Sequence, residues 1–144
     1  MNEFSARLID ALRNCENPAV QRLAGQAVEV REVMRIDGIS PGGHPFYITT
    51  QSGSEVTVGL GKHWHTHLGN ISADCPDKEP LTNVIRFLIR LVSDEITIVE
   101  AYENETYVGS RTQARGERRR EVKRANRYIT ISWSGRYNSE SRAR

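Results

Sequence analysis

Residues 80–102 read PLTNVIRFLIRLVSD and then EITIVEAY. The change of period between these two stretches decides the fold class. In the first, Leu81, Val84, Ile85, Leu88, Leu91 and Val92 recur at intervals of three and four, and Phe87 and Ile89 widen the stripe. That pattern predicts a core helix from Pro80 to Asp94, with Asp74–Glu79 supplying acidic cap chemistry. In the second, Ile96–Tyr102 is a short run rich in β-branched residues, which predicts a strand. Glu103-Asn104-Glu105 then makes a turn, and Thr106–Thr112 returns as the other arm of a hairpin.

Upstream of the helix the period is that of strands. From Glu55 to Leu68 one parity carries Val56, Val58, Leu60, Trp64 and Leu68, and the other Thr57, Gly59, Gly61, His63, His65 and His67. Gly59-x-Gly61 marks a bulge or break in that run. Phe46–Gln51 alternates in the same way, and Ser52-Gly53-Ser54 is a tight-turn candidate. Val28, Val30, Met34 and Ile36 form a first strand, separated from the next by the loop Asp37–Gly43. Before it, Phe4, Leu8, Leu12 and Cys15 have helical spacing, and Asn17-Pro18 opens a second short helix. Downstream, Tyr128–Trp133 places Ile129, Ile131 and Trp133 on one face of a last strand. The order is ααβββαβββ. The expected fold is α+β: a single domain over residues 1–137, with an antiparallel sheet, N-terminal helices and one central amphipathic helix. Residues 138–144 read as a polar, disordered tail. Trp64 and Trp133, both on apolar parities, are expected to be buried under the 80–94 helix.

Composition narrows the function classes. The chain has 144 residues, 38% hydrophobic and 26% charged, with two cysteines. The apolar run around Val84–Val92 is interrupted by Arg86 and Arg90, so no membrane span is expected. The first five residues lack a basic start with an apolar run, so a cytoplasmic location is expected. Cys15 and Cys75 belong to no CxxC pair, which argues against a disulfide scaffold. P-loop, GxGxxG and GxSxG signatures do not occur.

The net charge of +2 hides an asymmetry. Residues 1–110 carry 9 basic and 15 acidic side chains, whereas residues 111–127 carry 8 basic against 2 acidic. Partners respond to such local fields more than to the total. Eight cations in seventeen residues suit phosphates, so Arg115, Arg118, Arg119, Arg120, Lys123 and Arg124 are candidate contacts for nucleic acid or an acidic partner. The segment holds no aromatic for base stacking, and a solvated loop between two strands is the plainer reading.

His63, His65 and His67 on one strand face would lie roughly 6.5–7 Å apart and could converge on a zinc ion, with Asp74 or Cys75 as a fourth ligand. The plainer reading is a polar row opposite Trp64 and Leu68. His65-Thr66-His67 looks like the start of the JAMM metallopeptidase motif, but Leu68 stands where that motif has proline, and Cys75 and Lys78 where it has Ser and Asp. A cupin would need a Glu soon after His67, and none comes before Glu79. Neither metal nor other cofactor is therefore expected. A zinc-dependent hydrolase is the alternative to a binding function, and a nucleic-acid-binding module using residues 111–127 is the other.

Two segments together carry a family resemblance. One is Val58–Leu68, ending in His65-Thr66-His67-Leu68 and followed by the helix and the Ile-Thr-Ile-Val-Glu strand. The other is Ile131-Ser132-Trp133-Ser134-Gly135-Arg136-Tyr137. This succession resembles the small α+β immunity proteins of bacterial polymorphic-toxin systems and their uncharacterised relatives. The resemblance implies a protein-binding inhibitor rather than an enzyme, one that neutralises a cognate toxin by blocking its active site. For a body as acidic as residues 1–110, a basic toxin such as a nuclease is a fitting partner. Glu100, Tyr102, Glu103, Glu105 and Tyr107 cluster around one hairpin with no cation between them, and they are the candidate partner-binding residues.

Overall fold

The computed structural model describes residues 1–51, 55–68 and 79–142. Helix α1 (Glu3–Arg13) is capped by the Asn2 side chain, which accepts the Ser5 N–H. Helix α2 (Pro18–Leu23) is capped by Asn17, whose amide oxygen accepts from Ala19 and Val20, with proline at its first position. A 3-10 turn, Ala24–Gln26, leads into five strands: β1 (Val28–Val30), β2 (Val33–Ile39), β3 (Pro45–Thr50), β4 (Val56–Leu60) and β5 (Trp64–Leu68). Helix α3 (Pro80–Val92) follows, capped by Glu79. Then come β6 (Ile96–Glu103), β7 (Thr106–Ala114), β8 (Arg127–Ile131) and β9 (Ser139–Arg142).

The α+β class and the antiparallel pairing are as expected. The strands divide into two sheets, a five-stranded meander β1-β2-β3-β4-β5 and a four-stranded sheet ordered β7-β6-β8-β9. One continuous core joins them. It contains Leu8, Leu12, Val20 and Leu23 from α1 and α2, and Val84, Phe87, Leu88 and Leu91 from α3. The inner face of the first sheet adds Met34, Ile36, Ile48, Val58, Leu60, Trp64 and Leu68, and the second adds Ile96, Ile98 and Ile131. A hydroxyl pair, Ser5 with Thr50 at 2.6 Å, sits inside this core, and Thr50 also accepts the Met34 N–H. Buried polar atoms are thus satisfied where α1 crosses the sheet.

Three expectations need correction. The run Val28–Ile36 is a hairpin, not one strand. Arg31 and Glu32 both take positive φ (50° and 72°), which folds Val30 back onto Val33. Residues 55–68 break within Gly59-x-Gly61 as expected, and the break is a hairpin turned at Gly61 (φ 80°) so that Leu60 pairs Trp64. The stretch 138–144, expected as a disordered tail, contains β9, an edge strand whose backbone pairs β8 from Arg127↔Arg142 to Thr130↔Ser139. Trp64 and Trp133 are both buried; Trp64 meets α3, stacking on Phe87 at 6.0 Å, whereas the ring contact of Trp133 is with β3. Trp133 packs on Phe46 at 4.7 Å and, with Ala19 and Leu23, lines a small cavity at α2. The turn candidate 52–54 and most of the cap region 74–79 lie outside the described residues.

Candidate functional site

The alternation of β6 sets Ile96, Ile98, Glu100 and Tyr102 on the core side. A carboxylate therefore ends an apolar row. Glu100 is only 4% exposed, and its Oε2 has no hydrogen-bond partner. Burial pushes its pKa up, and the nearby His63, His44 and Lys62 pull against that rise. Tyr102 is also pushed up, by burial and by the charge of Glu100. The His63 ring stacks on Tyr107 at 4.1 Å and meets Tyr102 edge-on at 6.2 Å. The Tyr107 hydroxyl shares a hydrogen bond with Ser110 at 2.7 Å, and Arg127 lies over the Tyr102 ring at 4.7 Å. This corner joins the β4–β5 turn of one sheet to the β6–β7 hairpin of the other.

The hairpin is not an uncompensated acidic tip. Glu100 is inside, so it is no rim charge. Arg124 Nε lies 3.0 Å from Glu103, and Arg127 lies 3.8 Å from Glu105 and 3.3 Å from Glu140. Asn104 (φ 56°) makes the turn, and its side chain pairs with that of Asn126. The cations come from a segment twenty residues further along the chain, out of reach of any local reading.

The histidines do not share a site. His63 falls in the turn after Gly61, not in the strand, and faces the second sheet. His65 and His67 point outward from β5 with their rings 5.2 Å apart. His67 Nδ1 lies 3.0 Å from the Thr57 hydroxyl and 3.1 Å from a Glu55 oxygen. Among the described residues no three His, Cys, Asp or Glu side chains are grouped to hold a metal ion. Asp74 and Cys75, the candidate fourth ligands, lie outside the described residues.

The stretch Ile131–Tyr137, the second segment of the family resemblance, forms a joint together with Asn138. The Ser134 hydroxyl and N–H both donate to Asp94, at the end of α3. Gly135 (φ 83°) meets Gly42 so closely that a Cβ on Gly42 would lie 2.5 Å from the Gly135 nitrogen. The Trp133 carbonyl accepts the Gly42 N–H, and the Asn138 side chain accepts the Ser132 N–H. The Asn138 amide oxygen also lies 3.2 Å from His44 Nε2.

The basic segment is sorted by the fold into two groups. One group is structural. Val122 and Ala125 cover Val99, Ala101 and Tyr128 on the outer face of the second sheet. The Tyr128 hydroxyl donates to Glu121 and accepts the Val122 N–H, both at 2.9 Å. Arg119 lies flat on the Tyr128 ring at 4.0 Å, pairs with Glu121 at 3.1 Å and donates to Ser141. Arg115 rests against Tyr137, with 3.3 Å to its hydroxyl. Residues 115–126 thus form a lid with its own small core. The other group is exposed: Arg118, Arg120 and Lys123. Arg118 and Arg120, with Arg90 of α3 and Arg111 of β7, line a cavity of about 390 Å³ whose apolar lining includes Phe87 and Ile96. Arg90 is paired with Glu95 at 3.6 Å; among the described residues Arg111, Arg118 and Arg120 form no ion pair. Sequence reasoning missed Arg90 and Arg111 as members of this site. Only tertiary packing brings α3 beside the lid.

Comparison with known proteins finds no family, curated protein or solved structure that matches the chain.

Proposed function

We propose that the chain is a protein-binding inhibitor of the immunity type, which silences a cognate toxin in the cytoplasm by covering its active site. One observation supports this most directly. The side chains with chemical capability are built into joints between elements, which makes the molecule a stiff scaffold. His63 stacks on Tyr107 across the two sheets, Asp94 holds Ser134, and His67 lies against Thr57 and Glu55. A blocking protein needs such a pre-formed surface, because ordering a loop on binding opposes affinity. Charge on that surface then sets encounter rate and partner choice. Among the described residues no helix is long and apolar enough to cross a membrane. A nuclease is the toxin class that the acidic balance of residues 1–110 suits, although Glu103 and Glu105 already have internal arginine partners.

The test is to look for a toxin gene beside the one for this protein and to co-express the two. Cells should survive the toxin only when the protein is present, and the two should co-purify as one complex. Equal killing with and without the protein would remove the proposal.

A further inference from the structure

We propose that the open edge of β7 receives an extended acidic segment of the partner protein, added as a further strand with its carboxylates on the arginines of the adjoining cavity. This rests on the protein-binding reading above and names the surface and the chemistry it would use.

The first argument is the register. The Arg115 N–H donates to the Glu95 carbonyl, so residues 115, 113, 111 and 109 direct their backbone groups toward β6. Ser110, Thr112 and Ala114 then direct theirs away from the sheet. β7 ends the strand order, so among the described residues this row faces no other strand. The outward backbone groups of Ser110 and Thr112, on an edge strand, form a template for another chain.

The second argument is the molecule's own use of that edge. The outward N–H of Ala114 is bonded by the carboxylate of Glu117 at 3.0 Å, and the Glu117 N–H returns to the Ala114 carbonyl. A short piece of chain carrying an acidic residue already closes the last outward position. Ser110 and Thr112 continue the same row.

The third argument is charge. Arg90, Arg111, Arg118 and Arg120 line the cavity that runs along Arg111–Ala114; Glu117 is the acidic residue in its lining, and Arg90 is also paired with Glu95. Arg118 and Arg120 project from the lid, whose fold is fixed by Tyr128 and Arg119, so they are presented at little conformational cost. A docked strand would alternate its side chains, one set toward the lid arginines and the other toward Phe87 and Ile96. A peptide fits better than a nucleic acid. The edge offers donors and acceptors in alternation, which a backbone matches and a phosphate chain does not. No aromatic face in the cavity lies open for a base, since Phe87 is buried.

The experiment uses the full chain and a fluorescein-labelled twelve-residue peptide of alternating Glu and Val, with a Lys–Val peptide and a twelve-nucleotide single-stranded RNA as comparisons. The Glu peptide should bind saturably, more weakly at high salt, and the Lys peptide should not bind. Arg118→Glu with Arg120→Glu should weaken binding by about tenfold or more. Both arginines are exposed, so this variant should keep its fold. Thr112→Pro removes one outward N–H and spares the β6–β7 ladder; it should also weaken binding, and the Ser110 amide should gain exchange protection in the wild-type complex. No saturable binding at low salt, peptide binding unaltered by both variants, or RNA binding as tight as the peptide's would each overturn the proposal. Toxin protection separates the two levels. If the double arginine variant protects cells as well as wild type, the docking site is wrong and the inhibitor reading stands. If wild type gives no protection, the inhibitor reading fails independently of the peptide result.

Discussion

Replacing Tyr128 by phenylalanine isolates the anchor of the basic lid. The ring is 1% exposed, and phenylalanine keeps both its packing on Val99 and Ala101 and the surface on which Arg119 lies. Only the hydroxyl is lost, and with it two hydrogen bonds of 2.9 Å, one to Glu121 and one from Val122. The two losses are unequal. Glu121 is half exposed and recovers water, so its bond contributes little net. The Val122 N–H is half-buried under the lid and loses its acceptor. A hydrogen-bond donor left without a partner costs about 1–3 kcal/mol when fully buried, so about 1–2 kcal/mol is expected here. At roughly 4 °C per kcal/mol for a chain of this size, the melting temperature should fall by about 4–8 °C. The lid offers trypsin five sites within seven residues, Arg118–Arg124, and the same energy should raise cleavage there about 5–30-fold under native conditions. Thermal unfolding followed by circular dichroism, with timed trypsin digestion, reads both. Wild-type cleavage rates in the variant would show that the hydroxyl does not hold the lid and that the outer face of the second sheet is covered for another reason.

Further outcomes can be stated briefly. Trp133→Ala should destabilise the fold by about 3–5 kcal/mol, read by chemical denaturation, because it empties the contact with Phe46 at α2. Glu100→Gln should raise stability at neutral pH. A carboxylate whose pKa is higher folded than unfolded lowers stability once it ionises, so the gain should shrink on acidification through the folded pKa and vanish below the unfolded value, about 4.3. A constant difference between the two proteins from pH 4 to pH 8 would contradict the buried-carboxylate account. Gly42→Ala should cost about 1–3 kcal/mol, because its Cβ would meet the Gly135 backbone. Gly59→Ala should cost less, since its Cβ meets the Tyr47 ring, which can swing away into solvent. Protein purified without added metal should contain no stoichiometric zinc; zinc that disappears with His65→Ala/His67→Ala would move the reading to a hydrolase.

The parts of the fold legible in the sequence were those in which one local rule acts alone. The stripe Leu81–Leu91 could be nothing but a core helix, and Asn17-Pro18 marks a helix start by two independent signals. The Arg31-Glu32 turn was not legible, because neither residue favours positive φ and only the pairing of Val30 with Val33 imposes it. Ser139–Arg142 was hidden for a related reason. Its side chains are polar and exposed, so its strand character comes wholly from the backbone of β8. In the candidate site, the histidine row failed at a single residue, Gly61, whose turn moves His63 from the face of the strand to its end. The acidic hairpin and the basic segment were each visible as charge runs. That they partly neutralise one another, and that Arg90 joins what remains, depends on contacts no spacing rule encodes.

The closure of residues 115–126 over their own small core also bears on how such a protein changes over generations. Arg118 and Arg120 stand on a segment held at Tyr128, Arg119 and Val122, and both are exposed, with no ion pair to another described residue. Substitutions at these two positions should therefore change the docking site proposed above without endangering the fold, whereas the same substitution at Arg119 would remove its contacts with the Tyr128 ring, Glu121 and Ser141. Under the inhibitor reading proposed above, a lineage facing a diversifying toxin would gain from that separation. New specificities become reachable by single steps, each tested for recognition alone, and the scaffold beneath them is left undisturbed.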